Sequence, residues 1–335
     1  LIENLKFKKL KVRQQPFNLK PRILNLSSLE AVSLQILKPS NPNAMINKHL
    51  VEERSRDIGK FLVGRLLPFA KKRQVGPFTF IDHMGPATVG PGMYMDVDQH
   101  PHIGLSTLTY LLQGEIEHRD STGAAQIVGP GDVGFMTAGR GVTHTERTPM
   151  NLRNGGTHAM HGYQIWVAMP VEKEEMEPDF QFVPAAKLPH KEENGLKIIL
   201  AAGEGFGMKS PLNVHSPLFM VDVSTETKNQ LDIAGQLRGE IAIVVVQGSV
   251  TSDGQTIAAG QMLISKTENE CTLALADTTR VLLFGGEPFP EERLLFWNFV
   301  SHSPERLEKA KDDWRNKRFP KVPGDATFVP LPEPR

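Results

Sequence analysis

"HPHIGLSTLTYLLQG", residues 100–114, places two histidines one residue apart at the head of an apolar run that ends in Gln-Gly. On a strand, residues two apart project to the same side, so both imidazoles can face one point. "GVTHTE", residues 141–146, repeats the spacing with His144 and Glu146. If the two strands are neighbours in one barrel, three imidazole nitrogens and one carboxylate oxygen converge. That donor set suits a mid-series divalent metal such as Fe(II), Mn(II), Ni(II) or Co(II). Four protein ligands in an octahedron leave two positions for water, dioxygen or a chelating substrate. Zinc would be satisfied tetrahedrally by the same four, which makes a closed site less suited to catalysis. The plainer alternative is a wet strand edge, with His100 a turn residue before Pro101.

The surroundings read as β-structure. Around the histidines, "FLVGRLLPF", "VGPFTFIDHMGP", "LSTLTYLLQGEIEHRDSTG" and "AAQIVGPGDVGFMTAGRG" alternate short apolar runs with Gly and Pro turns. "AMHGYQIWVAMP" is a further strand, ended by Pro170. No stretch from 62 to 170 carries a helical period, so a closed all-β block is expected there. The charged, Pro-punctuated stretch 171–195 reads as a connection. A second β block runs from 196 to 286 and echoes the first. "LTYLLQGEIEHRDSTG" and then "IVGPGDVGFM" match "IAIVVVQGSVTSDGQ" and then "IAAGQMLI". Two similar barrels in tandem are therefore expected. Near the end, Ser303 is a candidate N-cap with Pro304 in the first turn, and Leu307, Ala310 and Trp314 share one helical face. That helix should bury its face by closing over a barrel. "LSSLEAVSLQILKP" near the start fits either a short helix or an edge strand.

The 335 residues suit two domains of roughly 150 residues each. With 38 basic and 38 acidic residues, no large nucleic-acid footprint is implied. No apolar run is long enough for a membrane-spanning helix. The opening "LIENLKFKKLKV" lacks the apolar centre of a secretory signal. Cys271 is the single cysteine. It rules out an internal disulfide and a Cys-based metal cluster, fits a reducing cytoplasm, and reads as a buried small residue in a strand.

Other candidates are weaker. His83 suits a donor behind the ligands at the cavity mouth, or an ordinary hydrogen-bonded histidine. His118 is expected to be solvated beside a hairpin turn. His158 and His161 are spaced by three, which is poor for one strand face, and His190, His215 and His302 have no partner nearby in sequence. Asp96 and Asp98 are hydrogen-bonding neighbours or a solvated loop. Phe78, Phe80, Met95, Leu105, Phe135 and Met136 fit an apolar cavity above the metal, which would take a flat aromatic ligand that chelates through adjacent oxygens. Each fits barrel core equally well. Gly134, Gly139 and Gly141 would allow close backbone approach near the site. "FAKKRQV", residues 69–75, reads as a solvated basic loop. No "GxSxG" or phosphate loop is present, and "GEGFG" lacks the helix a dinucleotide site needs.

Taken in order, "VGPFTFIDHMGP", "HPHIGLSTLTYLLQGEIEHRDSTG" and "PGDVGFMTAGRGVTHTE" resemble the pirins, which are bicupins of the cupin superfamily. The resemblance extends from "RDIGKFLVGRLLP" to "FWNFVSHSPERLEKAKDDW" and only partly covers residues 1–50. It implies two jelly-roll barrels with a C-terminal helix. Residues 51–175 would form the metal-binding cupin, 176–195 a linker, and 196–335 a metal-free cupin with the closing helix. Residues 1–50 would be an extension of unassigned role. In pirins the first barrel holds one metal, usually iron, through three histidines and a glutamate, here His100, His102, His144 and Glu146. Mn, Ni, Co, Cu and Zn are the alternatives to Fe(II). The general cupin pattern places a glutamate near Thr107, and Glu146 stands in for it. Some pirins resemble quercetin 2,3-dioxygenases, which implies a small aromatic chelating substrate, dioxygen, and Glu146 as ligand and base. The other implied role is a non-enzymatic, iron-dependent co-regulator with a protein partner. A cytoplasmic monomer is expected, bound neither to nucleic acid nor to a membrane.

Overall fold

Leu105–Gln113 is buried on both faces for most of its length, which explains its nearly unbroken apolar run. Leu108 and Tyr110 point into a core shared by two large sheets, whereas Leu105 and Leu111 point into the interior of the first barrel. In the computed structural model this strand is central in a seven-stranded sheet. From one edge the order is Asp179–Val183, Val133–Thr137, Leu105–Gln113, His158–Ala168, Phe78–Val89, Leu62–Leu67 and Arg54–Asp57. A four-stranded sheet closes the barrel, in the order Asp96–His102, Val142–Arg147, Ile116–Asp120 and Ala125–Val128. The described residues are 48–57, 61–154, 156–267, 270 and 272–332. The extension before residue 48, with its helix-or-strand segment, and Cys271 lie outside them.

The second half repeats the plan. Leu196–Gly205, Leu218–Thr225, Thr279–Gly286, Glu240–Gln247 and Gln261–Lys266 lie side by side in its large sheet. Its four-stranded sheet runs Asn229–Asp232, Thr272–Leu275, Ser249–Ser252 and Gln255–Ala258. The Gln-Gly turns of the sequence echo both have the glycine in the left-handed region, Gly114 at φ 83° and Gly248 at φ 73°. The described residues are thus all-β, a bicupin whose one helix longer than a single turn is C-terminal. Met150–Arg153 adds a single helical turn inside the first half.

The halves exchange edge strands. His49–Glu52 pairs with Gln261–Lys266 in the second sheet before Arg54–Asp57 starts the first. The stretch read as a connection carries Asp179–Val183, at the edge of the first sheet, and His190–Glu193, at the edge of the second. Between the large sheets, Phe78, Tyr110, Phe135 and Tyr163 meet Met220, Val244, Leu282 and Phe284. Polar contacts cross between the halves here: the Tyr110 hydroxyl donates to Asp222 Oδ2 at 2.8 Å, and Thr137 Oγ lies 2.9 Å from His215 Nε2. The second barrel's own interior is apolar. Leu231, Leu273 and Leu275 fill it from the strands that match those bearing His100, His102 and His144.

The helix is Pro304–Arg315, capped by the Ser303 hydroxyl, which accepts from the Arg306 N–H. Leu307, Ala310 and Trp314 are its buried residues, as their spacing requires. They pack against Ile103 and Phe299, so the helix covers the first barrel, next to His102, and not the barrel it follows in sequence. The tail beyond it runs back along the histidine strand. Gln99 donates from its side chain to the Thr327 carbonyl at 2.9 Å, and its side-chain oxygen accepts from the Val322 N–H at 2.7 Å. No described helix is long and apolar enough to cross a membrane. Replacing Trp314 by alanine should lower unfolding free energy in urea by about 3–5 kcal/mol. A loss below about 1 kcal/mol would show that the helix does not clamp this barrel.

Candidate metal centre

Asp96–His102 pairs antiparallel with Val142–Arg147, and His100 sits directly opposite His144. His102 projects to the same side as His100. One ring nitrogen from each of His100, His102 and His144 lies within 4.8 Å of the others. All three side chains are buried. Among the described residues no other three His, Cys, Asp or Glu side chains converge in this way.

The hydrogen bonds behind the rings assign their protons. His100 Nδ1–H donates to the Asp98 carbonyl at 2.8 Å, and His102 Nδ1–H to the Asn298 carbonyl at 3.2 Å. His144 Nδ1 lies 3.3 Å from His118 Nδ1, and His118 Nε2 lies 2.9 Å from Asp120 Oδ2. A carboxylate can only accept, so His118 carries its proton on Nε2 and offers Nδ1 as the acceptor for His144 Nδ1–H. Every Nε2 of the triad then presents a lone pair. The Nε2 atoms of His102 and His144 face each other at 3.1 Å. Two lone pairs at that distance repel unless a cation lies between them, so the donor set fits a metal ion. Burial pushes His100 down to about 4 and holds His102 and His144 well below the ordinary histidine range. Neutral imidazole is the form that binds a metal.

Glu146 is buried but is not one of the convergent group. The register slips between His144 and Glu146, so that Glu146 pairs with Val97. It lines a cavity of about 760 Å³ together with His100, His102, Gln164 and Trp166. Burial pushes its carboxyl up to about 7, and the Gln164 side chain works in the opposite direction. Thr109 Oγ donates to Gln164 Oε1 at 2.8 Å, which leaves the Gln164 amide N–H groups for the carboxylate.

The cavity wall differs from the expected one. Phe80 and Met95 line it. Phe78 and Phe135 belong to the core between the sheets, Leu105 packs behind Phe80 and Trp166, and Met136 lies in a small cluster with Val142. The missing wall is Trp166, stacked on Phe80 at 4.0 Å and edge-on to His102 at 5.1 Å. Arg65 lies over the Phe80 ring. Leu295, Trp297, Asn298 and Val329 come to the same cavity from beyond the second barrel. Asp96 and Asp98 also line it and pair with Arg153 and Arg147. The glycines after the first barrel strands serve other contacts. At Gly139 (φ 50°) a side chain would collide with the Met176 carbonyl, and Gly141 lies against Phe319.

One histidine departs from expectation. His118 is 4% exposed rather than solvated, because its ring stacks on Phe180 and bonds to Asp120. The signal was present, since His118 and Asp120 are two apart on a strand like the other pairs. His83 fits the plainer of its two alternatives: it does not line the cavity, although Asp82 and Met84 beside it do, and it bonds to Glu53 and His161.

A family model for pirin matches residues 60–167, and one for the pirin C-terminal cupin domain matches residues 220–320. The chain belongs to the pirin family. A pirin-like protein of Caulobacter vibrioides is 45% identical over 287 residues, covering 84% of this chain and 98% of that protein. The crystal structure of quercetin 2,3-dioxygenase from Acinetobacter baumannii superposes with a TM-score of 0.79 at 34% identity, over 86% of this chain and 96% of that one. The Escherichia coli pirin YhhW shares the fold at a TM-score of 0.56 and 22% identity, over 72% of this chain and 100% of that one.

The support behind His144 is directly testable. His118→Ala should weaken metal binding about 10–100-fold while leaving all three triad histidines in place. Competition with a chromogenic chelator measures it, and unchanged affinity would remove His118 from the site.

Proposed function

We propose that this pirin-family chain is a metal-dependent dioxygenase of the quercetin 2,3-dioxygenase type, which opens a flavonol-like ring with dioxygen and releases carbon monoxide. The observation that carries the reading is the set of three convergent imidazole nitrogens, with His100 and His102 lining an aromatic-walled cavity. The similarity to the Acinetobacter baumannii enzyme supports it. Fe(II) is the proposed ion, with Mn, Ni, Co, Cu and Zn as alternatives. His100, His102 and His144 would hold it through Nε2, and Glu146 would join as fourth ligand. When bound, the ion would acidify the chelating hydroxyl and couple the ring to dioxygen.

The chain's own groups supply the rest. A Glu146 oxygen takes the proton of the flavonol 3-hydroxyl, with Gln164 fixing the carboxylate for that transfer. Trp166 and Met95 offer apolar surface to a flat ring. Leu295, Trp297, Asn298 and Val329 complete the cavity wall. A cytoplasmic setting belongs to this reading and rests on the single cysteine.

The test is turnover by tag-free, Fe(II)-loaded protein mixed with quercetin in air, followed by flavonol absorbance and carbon monoxide release. Loaded wild type should turn over and His144→Ala should not. Glu146→Gln should lose about 10²–10⁴-fold in kcat. Full metal loading without turnover would overturn the flavonol reading and favour an iron-dependent regulatory role.

A further inference from the structure

Away from the triad, a second pair of imidazoles meets nitrogen to nitrogen. His83, on Phe78–Val89, and His161, on the neighbouring His158–Ala168, bring their Nε2 atoms to 2.9 Å. This resembles the 3.1 Å between His102 and His144. Two imidazole nitrogens each about 2.0–2.1 Å from one ion and about 90° apart would be separated by about 2.9 Å. That angle belongs to octahedral or tetragonal ions such as Ni(II) and Cu(II).

The surroundings are built for it. His83 Nδ1 lies 2.5 Å from Glu53 Oε1, the arrangement in which a carboxylate orients a metal-binding histidine. Room for that carboxylate comes from Gly64, which pairs with His83 and where any side chain would collide with Glu53. With His83 Nδ1–H given to Glu53, its Nε2 is a lone pair. The Tyr163 ring stacks on His83 at 4.5 Å, and its fully buried hydroxyl has no partner. Glu53 and Asp222 are the acidic groups that act on that hydroxyl. Arg280, the nearby cation, is held by Asp222, with Nε–Oδ1 at 3.0 Å. Burial and its neighbours His83 and Arg280 push His161 down to about 4, so it is a neutral donor at ordinary pH. His161 is half-buried, which leaves a way in for an ion.

We propose that His83 and His161 form a second divalent-metal site at the seam between the two barrels, with Glu53 orienting His83 and water completing the coordination. The site is independent of the proposed ring-opening activity.

Ni(II) titration of tag-free protein, read by calorimetry and by metal content after desalting, tests it. Wild type should take two equivalents, and His161→Ala and His144→Ala one each. Glu53→Gln, which keeps both histidines, should weaken the seam site about 10–100-fold and leave the triad site unchanged. Circular dichroism confirms that each variant folds. One equivalent in wild type and in His161→Ala, with none in His144→Ala, would overturn the seam site and leave the triad standing. Loss of an equivalent in His161→Ala but not in His144→Ala would support the seam and sink the triad. An unchanged Glu53→Gln profile would overturn the role given to Glu53.

Discussion

Three imidazole nitrogens without protons, held within 4.8 Å of one another in a buried pocket, set a condition that the rest of the first barrel meets. Isolated lone pairs at that density repel, and burial removes the water that would relieve them. The arrangement persists because each ring is fixed from behind. Two are tied to backbone carbonyls and the third to a His–Asp pair. Asp120 in turn is anchored by its own hairpin, where Oδ1 accepts from the Thr122 N–H at 2.8 Å and the Ala124 N–H at 3.2 Å. A turn on the barrel surface thereby sets the tautomer of a residue at its centre.

The second barrel and the segment after it complete this arrangement from outside. Asn298, which accepts from His102, lies beyond the second barrel in sequence, and the tail clamps Gln99 in the middle of the histidine strand. The corresponding strands of the second barrel carry leucines into an apolar interior. Duplication of one fold has thus left one barrel with polar donors inside and one filled with hydrocarbon.

Much of this was legible in the sequence because strand periodicity is local. His-x-His and His-x-Glu fix a shared face without knowledge of the fold, and the Ser-Pro-Glu start with Leu307, Ala310 and Trp314 fixes a helix and its buried side. What stayed hidden depends on pairing between distant segments. The register slips between His144 and Glu146, so that Glu146 pairs with Val97, and no local pattern announces such a slip. Phe78 and Phe135 fit cavity wall and barrel core equally in sequence, because strand alternation alone does not say which face of a doubly buried strand meets the cavity; they lie in the core between the sheets. The helix was attached to the barrel it follows, whereas Ile103 and Phe299 draw it onto the other one. His118-x-Asp120 was the exception. It carries the same local signal, with a hairpin turn directly after it.

The most direct test of the metal centre is an anomalous-difference map from crystals of the protein loaded with one equivalent of Fe(II), collected at the iron edge. The tautomers assigned here predict one dominant peak bound by Nε2 of His100, His102 and His144, at about 2.0–2.2 Å from each nitrogen. A dominant peak on any Nδ1 atom, or away from these three rings, would contradict that assignment.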